Sequence, residues 1–132
     1  MKLVAGLAIK NEEWIIGKVL ESLSIYCDTI VITDDNSNDN TEIICKRYPK
    51  VKFYKRPEHL WYKREEGKQR IELWNYVVQE NPDYILLLDA DMKLEFSPNF
   101  DAIEFKKGLT KDLYFILQGT DNFQWNNARI AK

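Results

Sequence analysis

Two carboxylates one residue apart, Asp89 and Asp91, follow directly on the apolar run Tyr84-Ile85-Leu86-Leu87-Leu88, with only Ala90 between them. A second acidic pair, Asp34-Asp35, follows the run Thr29-Ile30-Val31-Ile32-Thr33 and opens a string of short polar residues that reaches Asn40. A third polar cluster, Lys10-Asn11-Glu12, ends the run Leu3 to Ile9. Carboxylate oxygens are hard ligands suited to Mg²⁺ or Mn²⁺, above all where the metal also holds substrate phosphates. A single Asp-x-Asp is more often a solvated turn, and a single Asp-Asp more often a turn and helix cap. Three clusters at the ends of three apolar runs change those odds. If the runs are parallel strands of one sheet, all three clusters share its carboxyl edge, where open α/β sheets bind ligands.

The elements needed to place them can be read from the apolar pattern. Continuous apolar runs bounded by polar residues suit strands buried on both faces. Between the first two runs, Ile16, Leu20 and Leu23 recur at helical spacing, so Glu12 to about Ile25 is a helix with Asn11 as its expected N-cap. Asp39 with Glu42 resembles a capping box, opening a second helix through Ile43, Ile44 and Tyr48 that Pro49 ends. Val51 to Lys55 is a short strand. A third helix opens at Gly67 with Ile71, Trp74 and Val78 on one stripe and Leu73 and Val77 beside it, and Asn81-Pro82-Asp83 stops it. Leu113 to Leu117 and Phe123 to Ile130 read as further strands. The order β-α-β-α-β-loop-α-β predicts an α/β fold with a mostly parallel, Rossmann-like sheet, right-handed crossovers and helices on both faces. At 132 residues one domain is expected, residues 1–132.

Composition excludes several classes. A formal net charge of -2 does not suggest wholesale nucleic-acid binding. Residues 46–70 nevertheless carry ten Lys/Arg against three Glu, and most of these read as a solvated face. Arg64, Lys68 and Arg70 differ, because they flank Gly67 at a helix start, where backbone amides and cations suit an anion. Trp61 and Tyr62 offer faces for a base or sugar, or equally a core or lid. The single histidine, His59, supports no nucleophile-histidine site. Cys27 and Cys45 read as buried free thiols, in keeping with a reducing compartment. No stretch approaches the ~20 apolar residues of a membrane span, so a soluble, cytoplasmic protein is expected. An EF-hand starting at Asp35 fails because Asn40 stands where glycine is required and Lys46 where glutamate is. No Gly-x-Gly-x-x-Gly follows the first strand, and no Walker lysine loop is present.

Taken in order, Lys10-Asn11-Glu12-Glu13, Asp34-Asp35-Asn36-Ser37-Asn38-Asp39-Asn40-Thr41 and Leu88-Asp89-Ala90-Asp91 resemble the motifs of the family 2 glycosyltransferases of GT-A fold. The second resembles that family's Asp-Asp-x-Ser-x-Asp-x-Thr and the third its Asp-x-Asp, over about residues 2–100. The resemblance implies a nucleotide-diphosphate sugar donor (UDP-, dTDP- or GDP-linked), a divalent metal (Mn²⁺ or Mg²⁺) and inverting transfer to a glycan, lipid or protein acceptor. It implies a nucleoside pocket lined by the backbone around Ala8 and by Lys10 and Glu12, with Asp34 accepting from the base and Asp35 beside it. Arg70 would lie near the base or phosphates, Asp89 beside Ala90 would face the ribose or the metal's water shell, and Asp91 would bind the metal. Independently of the resemblance, Arg64, Lys68 and Arg70 at the helix start, together with that metal, would neutralise a diphosphate. Ala8 and Lys10 depart from the residues usual at their positions. No acid after Asp91 carries a motif marking it as the general base, so most of the acceptor-binding half is expected to be lacking. Two rivals stand beside transfer. One is a nucleotide-sugar-binding module without activity of its own. The other is a sugar-1-phosphate nucleotidyltransferase, which would need a glycine-rich loop where Ala8 to Glu12 stands.

Overall fold

The computed structural model describes residues 2–56, 66–88, 113–120 and 123–131. Strands β1 (Leu3–Ile9), β2 (Thr29–Asp34), β3 (Val51–Lys55), β4 (Tyr84–Leu87), β5 (Leu113–Thr120) and β6 (Phe123–Ala131) form one sheet in the order β3-β2-β1-β4-β6-β5. β1 runs parallel to β2 and β4, and β2 runs parallel to β3. β6 is antiparallel to both β4 and β5. The helices are α1 (Ile16–Tyr26), α2 (Thr41–Cys45) and α3 (Glu66–Gln79).

Strand side chains alternate between faces, and β1 shows how the two layers are sorted. Leu3, Ala5, Leu7 and Ile9 join Ile30 and Ile32 beneath Ile16, Val19, Leu20 and Leu23 of α1 and Cys45 of α2. Val4 and Ala8 lie on the opposite face with Val31 and Ile85, under Leu73 and Val77 of α3. Gly6 belongs to that second face, and a Cβ there would stand 3.1 Å from Val77 Cγ2 and 3.6 Å from Leu73 Cδ1. α3 therefore sits against β1 at a distance that only glycine permits without adjustment. Cys27 and Cys45 are buried free thiols, as expected. Burial first, then the nearby carboxylates of Asp34 and Glu42, push the Cys45 thiol up to about 12.

Four local expectations are corrected. α1 starts at Ile16 rather than Glu12, and residues 13–15 form a turn. Asn11 is not its N-cap but a left-handed residue (φ 50°) at the turn out of β1, a conformation asparagine tolerates better than most residues. α2 ends at Cys45, short of Tyr48, and Asp39 and Glu42 form no capping box. Glu42 turns instead to Lys46 and Lys55. Finally, the stripe of α3 that meets the sheet is Gln69, Leu73 and Val77, while Ile71, Trp74 and Val78 are 63%, 45% and 47% exposed.

Candidate functional site

The carboxyl ends of β2, β1 and β4 lie side by side, because these three strands are adjacent and parallel. Ile9 is in register with Asp34, and Leu88 extends the β4–β1 pairing by donating its N–H to Gly6 O at 3.4 Å. The polar clusters that follow the strands in sequence thus start from one edge. Asp89, Ala90, Asp91 and Arg64 lie outside the described residues, as do His59, Trp61 and Tyr62.

The loops after β1 and β2 are laced together. Ser37 Oγ accepts from Asn11 N at 2.8 Å, and Thr41 Oγ1 accepts from Glu12 N at 2.9 Å. Asn38 N donates back to Asn11 Oδ1 at 3.0 Å, and Asn40 N to Glu13 Oε2 at 3.0 Å. Lys10 Nζ closes the same seam on Asn36 O at 2.6 Å. Two left-handed asparagines, Asn11 and Asn36 (φ 56°), turn the chain at the two strand ends so that the loops can meet. The short polar residues of Asp34 to Thr41 are therefore used first on backbone amides, which loop backbone must satisfy to be packed at all. The Glu12 side chain stays within its own loop, its Oε2 accepting from Trp14 Nε1 at 3.1 Å.

The acidic pair divides between the two faces. Asp34 shares the face of Ile30 and Ile32, where its Oδ2 accepts from Ser37 N at 2.8 Å and its Oδ1 from the Ser37 hydroxyl. Burial pushes its carboxyl above the ordinary aspartate value, opposed by the two Ser37 bonds and by the charges of Lys55 and Lys10. Asp35 turns the other way, toward α3, with Oδ1 3.9 Å from Arg56 Nε. Arg56 in turn places Nη1 2.5 Å from Glu72 Oε2 of α3. Both acids are fully buried.

Because the folded-state value of Asp34 is raised, its contribution to stability is complete below the unfolded value and lost as pH rises through the folded one. Asp34→Asn, uncharged throughout, should therefore gain on wild type as pH climbs from about 4 toward neutrality. Melting temperatures across that range check this; a constant difference would mean burial does not dominate at Asp34.

Two residues that sequence reasoning missed complete the edge. Gln69 is fully buried in the first turns of α3, and its Nε2 donates to Thr33 O at 3.0 Å and Ile9 O at 3.4 Å. It stitches α3 to the last carbonyls of β2 and β1. Arg56 falls within the basic stretch whose pattern reads as a solvated face, yet its side chain is only 14% exposed. Nothing in the local pattern marks Gln69. A basic residue directly after a strand of a parallel sheet was the available signal for Arg56. Of the expected site residues, Ala8, Lys10, Asp34 and Asp35 gather at this edge, Glu12 bonds Thr41 through its amide and Trp14 through its side chain, and Arg70 is exposed, next in sequence to the buried Gln69. Among the described residues no cluster of His, Cys, Asp or Glu could hold a metal.

Comparison with known proteins fixes what this edge belongs to. The family described as glycosyl transferase family 2 matches residues 6–103, well over half of the chain. The chain belongs to glycosyl transferase family 2. Solved structures agree on the GT-A fold. TarS of S. aureus matches with a TM-score of 0.53 and 23% identity, over 69% of this chain and 17% of that one. Glucosyl-3-phosphoglycerate synthase of Mycobacterium tuberculosis, crystallised with Mn²⁺, UDP and glucosyl-3-phosphoglycerate, matches at 0.50 and 23%, over 67% and 33%. Mannosyl-3-phosphoglycerate synthase of Rubrobacter xylanophilus matches at 0.52 and 18%, over 74% and 33%. This family 2 chain spans a third or less of the length of each of these structures. No curated protein sequence matches it. No described helix is long and apolar enough to cross a membrane.

Proposed function

We propose that the chain holds the donor end of an inverting, metal-dependent glycosyltransferase that takes its sugar from a nucleotide-diphosphate sugar. The observation that carries this is the convergence of the β2, β1 and β4 ends on one edge, in a chain of this family. The base contact is moved from Asp34 to Asp35. Both Asp34 oxygens are engaged by Ser37 within the loop seam, whereas Asp35 faces the α3 side, toward Arg56. In this reading Asp34 holds the loop, Asp35 accepts from the base, and the backbone at Ala8 lines the nucleoside. Lys10 fixes the seam through Asn36. Arg70, and Arg64 before it in the sequence, offset diphosphate charge. Asp91, with Asp89, supplies hard oxygen donors that fit Mn²⁺ or Mg²⁺. A metal there would stabilise the charge that develops on the leaving nucleoside diphosphate. The family match favours transfer over nucleotidylation. A donor-binding module that transfers only with further acceptor-binding residues is the second reading, favoured by the small share of each solved neighbour that the chain spans.

A thermal-shift screen of UDP-, GDP- and dTDP-sugars with and without Mn²⁺ tests this. One donor at a hundred times its dissociation constant should stabilise by about 2.7 kcal/mol, with Mn²⁺ required for most of the gain. Asp91→Asn should abolish the metal-dependent part. Full retention would move the metal elsewhere, and no shift with any donor would overturn the reading. Turnover with Mn²⁺ separates enzyme from module.

A further inference from the structure

Arg56, like Gln69, lies at the strand-end edge and is used by neither the sequence motifs nor the family reading. Its backbone N–H donates to Asp34 O at 2.8 Å, prolonging the β2–β3 ladder one residue beyond Lys55. That bond fixes where its side chain begins. The guanidinium then lies between two acids on different elements, Asp35 after β2 and Glu72 on α3. At 3.9 Å the Nε–Asp35 contact is too long for a hydrogen bond, and the close Nη1–Glu72 approach lacks hydrogen-bond geometry. Among the described residues, neither the buried Nε nor the buried Nη1 has a hydrogen-bond partner. Buried donors left in that state demand an explanation, and a functional site is one place where they occur.

We propose that Arg56 is a positioning residue for the nucleobase: it holds the Asp35 carboxylate oriented toward the bound base, and through Glu72 ties that carboxylate to α3. This rests on the donor-binding reading above and extends it to a residue outside the motifs. A guanidinium suits the task because its planar fork presents several donors at once, so one group can address Asp35 and Glu72 together. A lysine is a point charge on a flexible stem and cannot span both acids in the same way. Arg56 itself need not touch the ligand. It acts through Asp35, so its effect should appear on the nucleoside and not only on the phosphates.

The test is calorimetric titration of UDP, GDP and dTDP with Mn²⁺, and of uridine, guanosine and thymidine alone, into wild type and variants. Arg56→Met should weaken the preferred nucleoside and its diphosphate by the same factor, about tenfold, as expected for loss of one charged contact. In an Asp35→Asn background Arg56→Met should cost no further affinity. Arg56→Lys should recover less than half of the lost affinity on a logarithmic scale. Weaker diphosphate binding with unchanged nucleoside binding would show that Arg56 acts through α3 alone and would overturn the proposal. So would a full loss that persists without Asp35. If Arg56→Met does not fold, Arg56→Lys decides: threefold or greater weakening of the nucleoside supports the proposal, and wild-type binding overturns it. A wild-type protein that binds none of these compounds overturns the donor-binding reading itself, and this inference with it.

Discussion

Replacing Gly6 with leucine should destabilise the protein by about 3 kcal/mol, because the added side chain enters a packed interface with nowhere to go. Gly6 sits mid-strand on β1, in register with Val31 on one side and Leu87 on the other. The first added carbon already stands 3.1 Å from Val77 Cγ2 and 3.4 Å from Leu87 Cδ2. Alanine requires Val77 to yield by only a few tenths of an ångström, and its lower unfolded-state entropy offsets part of that cost, so Gly6→Ala should fall within about 1 kcal/mol of wild type. Leucine must displace Val77 and Leu73, and with them the helix. For a chain of this size the leucine variant should melt roughly 10 °C lower. The damage is directional, since lifting α3 also draws Gln69 off the carbonyls of Ile9 and Thr33. Any residual donor binding should therefore weaken more than the fall in melting temperature explains. Val77→Ala makes room at the same point, and the two substitutions together should cost less than their sum. Strict additivity would mean that the helix does not rest on the glycine.

Ser37→Ala is the second large effect, expected at about 2–3 kcal/mol for a single oxygen atom. That hydroxyl donates to Asp34 Oδ1 and accepts from Asn11 N, so its loss leaves a buried carboxylate and a loop amide without a shared partner. Ser37 N continues to serve Oδ2, which keeps the loop from opening entirely. Because burial raises the Asp34 carboxyl, the cost should grow with rising pH and shrink as acid protonates it. In an Asp34→Asn background it should fall to about 1 kcal/mol, the ordinary worth of one neutral hydrogen bond. Denaturant unfolding of the four proteins at pH 7 and at pH 4.5 measures each term. An undiminished cost in the Asn background would place the role of Ser37 in the Asn11 amide instead.

The fold and the meeting of strand ends were legible because both follow from local pattern. Uninterrupted apolar runs separated by helical periods can only form a mostly parallel sheet, and such a sheet gathers the residues after each strand on one edge. The orientation of α3 was not legible. Ile71, Trp74 and Val78 are as apolar and as helically spaced as Leu73 and Val77, so periodicity alone offers two stripes. What decides between them is a glycine on another strand and a buried glutamine bonded to distant carbonyls, neither of which leaves a mark on the helix sequence. The capping expectations failed for a related reason. Asn11 and Asp39 have the chemistry of caps, but Asn11 Oδ1 serves the amide of Asn38 across the seam, and Asp39 is divided between its own loop and the other. Asp39 Oδ1 takes the amide of Thr41, and Asp39 Oδ2 lies 3.4 Å from the amide of Glu13. Asp34 and Asp35 look equivalent in sequence; only the alternation of the strand, continued past its end, sends them to opposite faces.

The seam between the loops after β1 and β2 also bears on the order in which the molecule assembles. Its bonds join residues 26 to 29 positions apart, all within β1, α1, β2 and the start of α2. The Gln69 stitches reach back 36 and 60 positions and need a helix from the second half of the chain. Shorter loops close at lower entropic cost, so the β1–α1–β2 unit should set its edge before α3 docks on it. Native-state hydrogen exchange should then resolve two cooperative units, with α3 opening at lower free energy than β1 and β2. The side of the edge that carries Asp34 would be formed early and held firmly, and the side that carries Asp35 and Arg56 would be completed last and be the first to loosen.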